Sequence, residues 1–460
     1  MGRLTGRRGR RDRKRGLGRD FNRLWGAAAV SNIGDGIAAA AAPLLVASVT
    51  DDPVLVSLAM FAQQLPWLLF SLVSGVFVDR LDRRRLIVVV NAVRAAVVGG
   101  LALAVALRPE DPATVLPAVY AAGFLLGVCE TLADTAAASL IPAVVASEDL
   151  PRANSRMQAV FFVLNRFAAP PLGATLFVTA VALPFGINAM TFVLAAVLIS
   201  TLRGVGRDAA VPAPRPEAPP TLGASPPEVE DATPPRRSVR TDIAEGVRWL
   251  WRHPGIRMVT VALCLMNITL MSGMSVLVLY AGERLGLGEV GYGVFLTAVA
   301  VGGLVGSLIA PRLQAWFSPS VLLRAGLVIE TLTHVGFALA GSAWVAGAVY
   351  IVFGVHGSVW WSVERTLRQR AVPDRLRGRV ESVFMTFGMG GAALGALIGG
   401  PIARWLGITG PFWASAVVMA ALTVVAWRPF GRGVTEERAP ARDARGAEPT
   451  PADPEVRAAP

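Results

Sequence analysis

Twelve apolar stretches, each near twenty residues or longer, run through this chain of 460 residues and constrain its fold more than any other feature. Each is long enough to cross about 30 Å of hydrocarbon, which takes roughly 20 helical residues. A segment in lipid must satisfy its own backbone N–H and C=O groups, so a helix is the expected spanning form. The approximate spans are 24–49, 54–78, 86–107, 115–141, 156–181 and 184–202, then 257–281, 290–314, 320–341, 344–366, 380–404 and 411–428. With 53% hydrophobic and only 17% charged residues, the composition excludes an ordinary soluble domain.

Charge placement tests the count, because cytoplasmic loops of membrane proteins carry the excess of arginine. Arg3 to Arg23, Arg80 to Arg85, Arg152 with Arg156, Arg203 to Arg257, and Arg365 to Arg379 all fall on one side if the twelve spans alternate. The other side receives Asp51 and Asp52, Arg108 with Glu110 and Asp111, and Glu283 with Arg284 and Glu289. Both termini are therefore expected in the cytoplasm, which needs an even number of crossings. The first span is about 26 residues long and carries Asp35 in its middle, so it reads as a retained membrane helix rather than a cleaved signal. The basic tail before it reads as a topology determinant attracted to anionic lipid, with no nucleic-acid partner expected.

Residues 211–235 contain nine prolines and no apolar periodicity, which reads as a disordered linker between two halves. Beyond it, Asp242 three residues before Glu245 resembles a capping box, and Ile243, Val247 and Trp251 share one helical face. That pattern predicts a short amphipathic helix on the membrane surface. The expected organisation is a basic tail (1–23), a six-helix bundle (24–204), a Pro-rich linker with the amphipathic helix (205–256), a second six-helix bundle (257–430) and a disordered tail (431–460). The halves read as a duplication. The turn after span 8 keeps Gly306 and Arg312, but Ala310 stands where the first half has Asp79.

The loop after span 2 reads Gly75-Val-Phe-Val-Asp79-Arg80-Leu-Asp82-Arg83-Arg84-Arg85. It resembles the loop signature of major facilitator superfamily transporters, with Asp82 where a glycine is usual. Phe185-Gly-Ile-Asn188-Ala-Met-Thr-Phe192, Glu245-Gly-Val-Arg-Trp-Leu-Trp-Arg-His253-Pro254 and Val372-Pro-Asp-Arg-Leu-Arg-Gly-Arg379-Val-Glu-Ser382 resemble the branch holding enterobactin exporters and macrolide efflux proteins. The resemblance covers residues 20–430. It implies an all-α membrane fold of two six-helix bundles rocking about a site near the midplane. Spans 1, 4, 7 and 10 would line the cavity, with 3, 6, 9 and 12 outermost. Gly75, Asp79, Arg80, Arg83 and Arg84 would form a gating loop, with Asp79 against the start of span 11.

Ala169-Pro170-Pro171-Leu172-Gly173-Ala174 on span 5 is similar to an antiporter motif, with alanine at two glycine positions. Gly388, Gly391, Gly395 and Gly399 give span 11 a small-residue face, expected to be the partner of Pro170, Pro171 and Gly173 across the interface. Span 4 lacks the arginine usual in the superfamily's export motif.

Ionisable groups inside the apolar stretches are the remaining functional signal, because each is costly unless paired or facing water. Asp35, near the middle of span 1 with Asn32 one turn earlier, reads as a proton-coupling or substrate-binding acid, or as a structural one. Glu130 shares a helix face with Asp134 and reaches cavity depth. Arg166 on span 5 is the expected counter-charge for Glu130 or Asp35. Arg94, on an outer span, reads as snorkelling or bracing the span 2 loop. Glu330 and His334 read as a local pair on a peripheral span, while His356 on span 10 can exchange protons near neutrality. No nucleophile–base pair, metal cluster or phosphate loop is present, so neither an enzyme nor a cofactor is expected. The expected function is proton-driven export of an amphipathic small molecule such as a drug, siderophore or secondary metabolite, by a monomer in the cell membrane. An importer of the same fold and a non-transporting sensor or scaffold are the alternatives.

Overall fold

The computed structural model describes residues 17–78, 81–202 and 239–436, and among these every regular element is helical. Twelve helical stretches are long and apolar enough to cross a membrane. The first half holds α1 (Arg19–Ala47), α2 (Pro53–Val78), α3 (Arg83–Leu107), α4 (Pro112–Val144), a fifth span and α7 (Leu183–Ser200). That fifth span is a composite of α5 (Leu150–Val160), a π-helical stretch (Phe161–Ala168) and α6 (Ala169–Thr179). Then follow α8 (Val239–Arg252), α9 (Pro254–Met274) and the short α10 (Leu277–Leu279), which runs into a π-helical turn, Tyr280–Arg284. The chain ends in α11 (Glu289–Trp316), α12 (Pro319–Leu339), α13 (Ala343–Ala371), α14 (Arg377–Leu406) and α15 (Gly410–Glu436).

Local chemistry places the helix starts. Pro53, Pro112, Pro254 and Pro319 occupy first turns, where a missing N–H has no cost. Asp111, Ser318 and Ser342 each accept from a backbone N–H of the turn they cap. Asp82, which departs from the superfamily loop pattern, is the N-cap of α3 and accepts from the Arg85 N–H at 2.9 Å. The seventh span is not continuous, because α9 stops at Ser275 and Val276 before α10 begins. Tyr280 then anchors the chain, fully buried, with its hydroxyl donating to the Phe337 carbonyl at 2.7 Å.

Large apolar side chains remain on the outside, as a lipid-facing surface requires. Trp316, Trp344 and Trp405 are 73%, 90% and 86% exposed and all stand near span ends, the depth at which indoles favour a membrane interface.

The amphipathic helix is present as α8, and its apolar side packs on the second half. α8 begins at Val239, so Asp242 lies inside it and is no N-cap. Its buried stripe is Gly246 and Leu250, seated on α14 with Gly246 against the Arg379 carbonyl, while Trp251 is 45% exposed. Glu245 pairs with Arg379 and, at 3.4 Å, with Arg375 instead of closing a capping box. The Pro-rich stretch 211–235 lies outside the described residues, as do 1–16 and 437–460, but α1 already begins at Arg19 and α15 runs on to Glu436, so helix extends into both stretches expected to be tails.

Helices α1 to α7 pack among themselves, as do α9 to α15, and two seams join the halves: α2 against α14, and α6 with its π-helical stretch against α11. The glycine face of α14 does not meet span 5. Gly391, Gly395 and Gly399 lie on the carbonyls of Cys264, Ile268 and Ser272, all on α9 of the same half. Gly173 likewise packs on Ile37 of α1, inside the first half. Across the seams the small residues are others: Gly293 of α11 meets Pro170, Pro171 and Ala174, and Gly400 of α14 meets Pro53, Val54 and Ser57. Helical spacing reveals a close-packing face but not its partner.

Candidate functional site

In the first half the sequence Gly34-Asp35-Gly36 fixes a carboxylate in the middle of α1. A side chain at Gly34 would run into Asn188 and Thr191 of α7, and one at Gly36 into the Asn165 carbonyl and Ala169 of span 5. Both glycines are buried and Asp35 is half-buried. The helix backbone is thus gripped on two sides, and the carboxylate projects between them. Asn165 Nδ2 adds a hydrogen bond to the Asn32 carbonyl at 3.2 Å, tying α1 to the π-helical stretch.

The charges that act on Asp35 are Arg94 of α3 and Glu130 of α4. Arg94 is only 8% exposed, and its guanidinium lies 4.7 Å from the centre of the Phe192 ring on α7. It therefore neither snorkels nor braces a loop. Its face of α3 is the inward one, shared with Ile87, Val90, Asn91, Val98 and Leu101. Arg166, expected as the counter-charge, is exposed and stands over the Phe161 ring at 5.2 Å, within electrostatic reach of Tyr350 on α13. Asp35, Arg94 and Glu130 make a trio with one cation for two carboxyls, and sequence reasoning had missed its arginine.

The second half has its own buried cluster. Glu330 and His334 of α12 do not form a merely local pair, because His356 Nε2 of α13 lies 3.0 Å from Glu330 Oε2 while His334 Nε2 lies 3.5 Å from Oε1. All three side chains are 5% exposed or less.

At the arginine-rich end, Glu364 and Arg368 of α13 form a buried pair at 2.7 Å, and Arg368 Nη1 reaches Glu381 of α14 at 2.5 Å. The guanidinium also lies 3.8 Å from the Phe384 ring centre. The spacing of four residues between Glu364 and Arg368 was a legible signal for this pair. Of the expected gating loop, Asp79 and Arg80 lie outside the described residues and Gly75 is in the last turns of α2. Arg83 opens α3, and Arg84 donates to the Ser200 carbonyl at the end of α7, within its own half. Asp134 lies on α4, with its side chain outside the described set.

At the opposite end the halves approach backbone to backbone. Gly400 sits against Pro53 and Val54, Gly293 against Pro170 and Pro171, and α1 touches α10. Arg404 and Asp52 pair across that seam at 3.5 Å. Deeper in, Gln64 of α2 donates to Met271 Sδ of α9 at 3.7 Å, and Gly390 meets only the end of the Leu68 side chain.

Two helical bundles, joined by seams and each enclosing charged side chains at mid-span, define a polytopic membrane transporter. The model of the Major Facilitator Superfamily matches residues 24–391, and the chain belongs to that family. It is 26% identical over 418 residues to the multidrug efflux pump Tap of Mycolicibacterium fortuitum, covering 87% of this chain and 93% of that one. It is 25% identical over 384 residues to the enterobactin exporter EntS of a Shigella boydii strain, covering 83% and 84%. A bacterial homologue of the iron transporter ferroportin, solved in an inward-facing state, superposes with a TM-score of 0.71 at 16% identity, over 91% of this chain and all of that one.

Proposed function

We propose that the chain exports an amphipathic small molecule, of the drug, siderophore or secondary-metabolite kind, in exchange for protons by alternating access. The observation that carries this reading is the trio of Asp35, Arg94 and Glu130. An ionisable group held at mid-span and left half-accessible is costly, and in a membrane protein such a group marks an ion or substrate path. Asp35 is the proton carrier in this scheme. Arg94 holds its orientation, and Glu130 sets the net charge that a proton or a cationic group on the substrate balances. The names of the relatives, a multidrug efflux pump and an enterobactin exporter, support the outward direction and the range of solutes.

In this reading the arginine-rich end, with both termini, faces the cytoplasm of a cell or inner membrane. The seam closed by Gly400, Gly293 and the Asp52–Arg404 pair is then the outer one, and the conformation is inward-facing. Protein reconstituted as a monomer into vesicles is expected to drive solute efflux that collapses with the pH gradient and is lost in Asp35→Asn. Normal gradient-driven transport by Asp35→Asn would sink the assignment, and accumulation in the opposite direction would make the chain an importer.

A further inference from the structure

The carboxylate of Glu330 is 1% exposed, and among the described residues the charged groups acting on it are His334 and His356. The cation on its own helix, Arg324, is turned away: it donates to the Trp427 carbonyl of α15 at 2.8 Å and lies over that indole. From α13 the neighbours are His356, the Trp360 indole and Tyr350, whose hydroxyl sits 3.4 Å from Met274 Sδ of α9. From α15, besides the Trp427 carbonyl that takes up Arg324, the polar contact to α12 is Thr423 on Thr331, a neutral pair. A buried carboxylate without a fixed cation is stable only when a proton neutralises the cluster. Two imidazoles are the side chains best suited to hold and release that proton near neutrality.

The site is built, not incidental. Gly326, Glu330 and His334 stand four residues apart on one face of α12. A Cβ at Gly326 would lie 2.7 Å from Trp360 Cε3 and 3.1 Å from His356 Cε1, so the glycine is what admits these rings. His334 Nε2 faces Glu330, while its other ring nitrogen, Nδ1, is buried with no hydrogen-bond partner among the described residues. A cavity of about 20 Å³ lies beside the His334 ring, between Thr333, Phe337, Tyr350 and Phe353. Its wall is apolar, so it offers the imidazole room to turn rather than a place for water.

We infer that Glu330, His334 and His356 form a proton-loading site inside the second half, sharing one exchangeable proton, with His334 the ring that turns to pass it on. Occupancy of this site is independent of the transport reading above; its role as a second coupling site rests on that reading.

The chain has three histidines, His253, His334 and His356, so labelling with ¹⁵N-histidine gives a spectrum of three rings. In lipid nanodiscs between pH 5 and 9, the imidazoles of His334 and His356, assigned through His334→Gln and His356→Gln, should carry one imidazolium charge and change with a common midpoint. Glu330→Gln should abolish that charge at pH 7 while His253 stays unchanged. If Glu330→Gln does not fold, His334→Gln decides: the His356 midpoint must move, and an unmoved one overturns the proposal. Two rings neutral from pH 5 to 9 in the unaltered protein would overturn it as well. In vesicles, with ethidium as the reporter, His334→Gln and Glu330→Gln are expected to lose at least tenfold of the gradient-driven rate. Full rates in both would remove the coupling role. Absence of any gradient-driven flux in the unaltered protein would instead count against the proton-driven reading, leaving the spectrum to judge the site.

Discussion

The seam at Gly400 gives the sharpest test of how the halves move. A methyl group there would meet the carbonyl of Pro53, the hydroxyl of Ser57 and, at 2.7 Å, the Cα of Val54. Two of those three atoms are backbone and cannot swing aside. Forcing an extra methyl into a packed contact costs about 1–3 kcal/mol. Gly400→Ala also gains about 0.5–1 kcal/mol of helix propensity, but it does so whether the seam is closed or open. The propensity gain therefore cancels from the equilibrium between the two states, and the full steric cost acts on the closed seam. About 1–3 kcal/mol corresponds to a shift of about 5- to 150-fold in population.

Nitroxides on Val49→Cys and Thr409→Cys, with Cys129 and Cys264 replaced by serine, would report the separation of the two halves at that end by pulsed EPR. Gly400→Ala should transfer population to the longer distance. Gly395→Ala is the comparison, because its methyl would press on the Ile268 carbonyl within the second half, a contact that rocking does not change. It should lower the melting midpoint and leave the distances alone. Gly357→Ala, with nothing within 4 Å of the new methyl, should do neither. If Gly400→Ala leaves the distance distribution where Gly357→Ala leaves it, or if Gly395→Ala moves it equally, the seam does not hold the closed state.

Two further outcomes follow from the charged clusters. Removing the guanidinium in Arg368→Gln leaves Glu364, fully buried, without its cation, at a cost of about 3–5 kcal/mol; thermal melting in detergent should show a large fall there and a smaller one in Glu364→Gln, and equal melting of Arg368→Gln and the unaltered protein would refute the pair's importance. Burial and then the neighbouring Asp51 carboxylate push the Glu283 carboxyl above its ordinary range. The two acids belong to different halves, so the closed end binds the Glu283 proton more tightly; its stability is full at low pH and declines as pH rises through the raised value. The same EPR pair should shift toward the short distance as pH falls from 7 to 5, and Glu283→Gln should abolish the shift.

The number and order of spans were legible because each is a local property of twenty or so residues, and the arginine alternation checks it independently. Partnership was not legible. Gly391, Gly395 and Gly399 announced a close-packing face, yet only the folded bundle shows it against α9, with α2 taking the seam. Arg94 was misplaced for a related reason: beyond its basic first turn α3 is apolar except at Asn91 and Arg94, and two polar residues three apart mark a face without saying whether it turns inward. The break at Ser275 and Val276 and the π-helical stretch from Phe161 carry no proline, and local pattern reads straight through both. By contrast the spacing of Glu330 and His334 was visible from the start, and what the structure added was His356 from the next helix.

The pattern of close contacts also says which parts can move as units. Within the second half, α14 lies on α9 through three glycines against three carbonyls, and within the first, α1 is held through Gly34, Gly36 and by Gly173 of span 5. Interfaces of that kind have no slack for sliding, since any rotation drives a Cα into a carbonyl. The seams differ along their length: backbone meets backbone at Gly400 and Gly293, but at Gly390 and Gly303 the contact from the other half is only the end of the Leu68 or Phe162 side chain. A structure rigid within its halves and graded along its seams can change by rocking, with one end parting as the other closes. The Asp35 trio and the Glu330 cluster each lie wholly inside one rigid unit, so rocking leaves their internal distances intact. In the exporter proposed above, rocking changes which side of the membrane the half-accessible Asp35 can reach, which is the property its proton carrier needs.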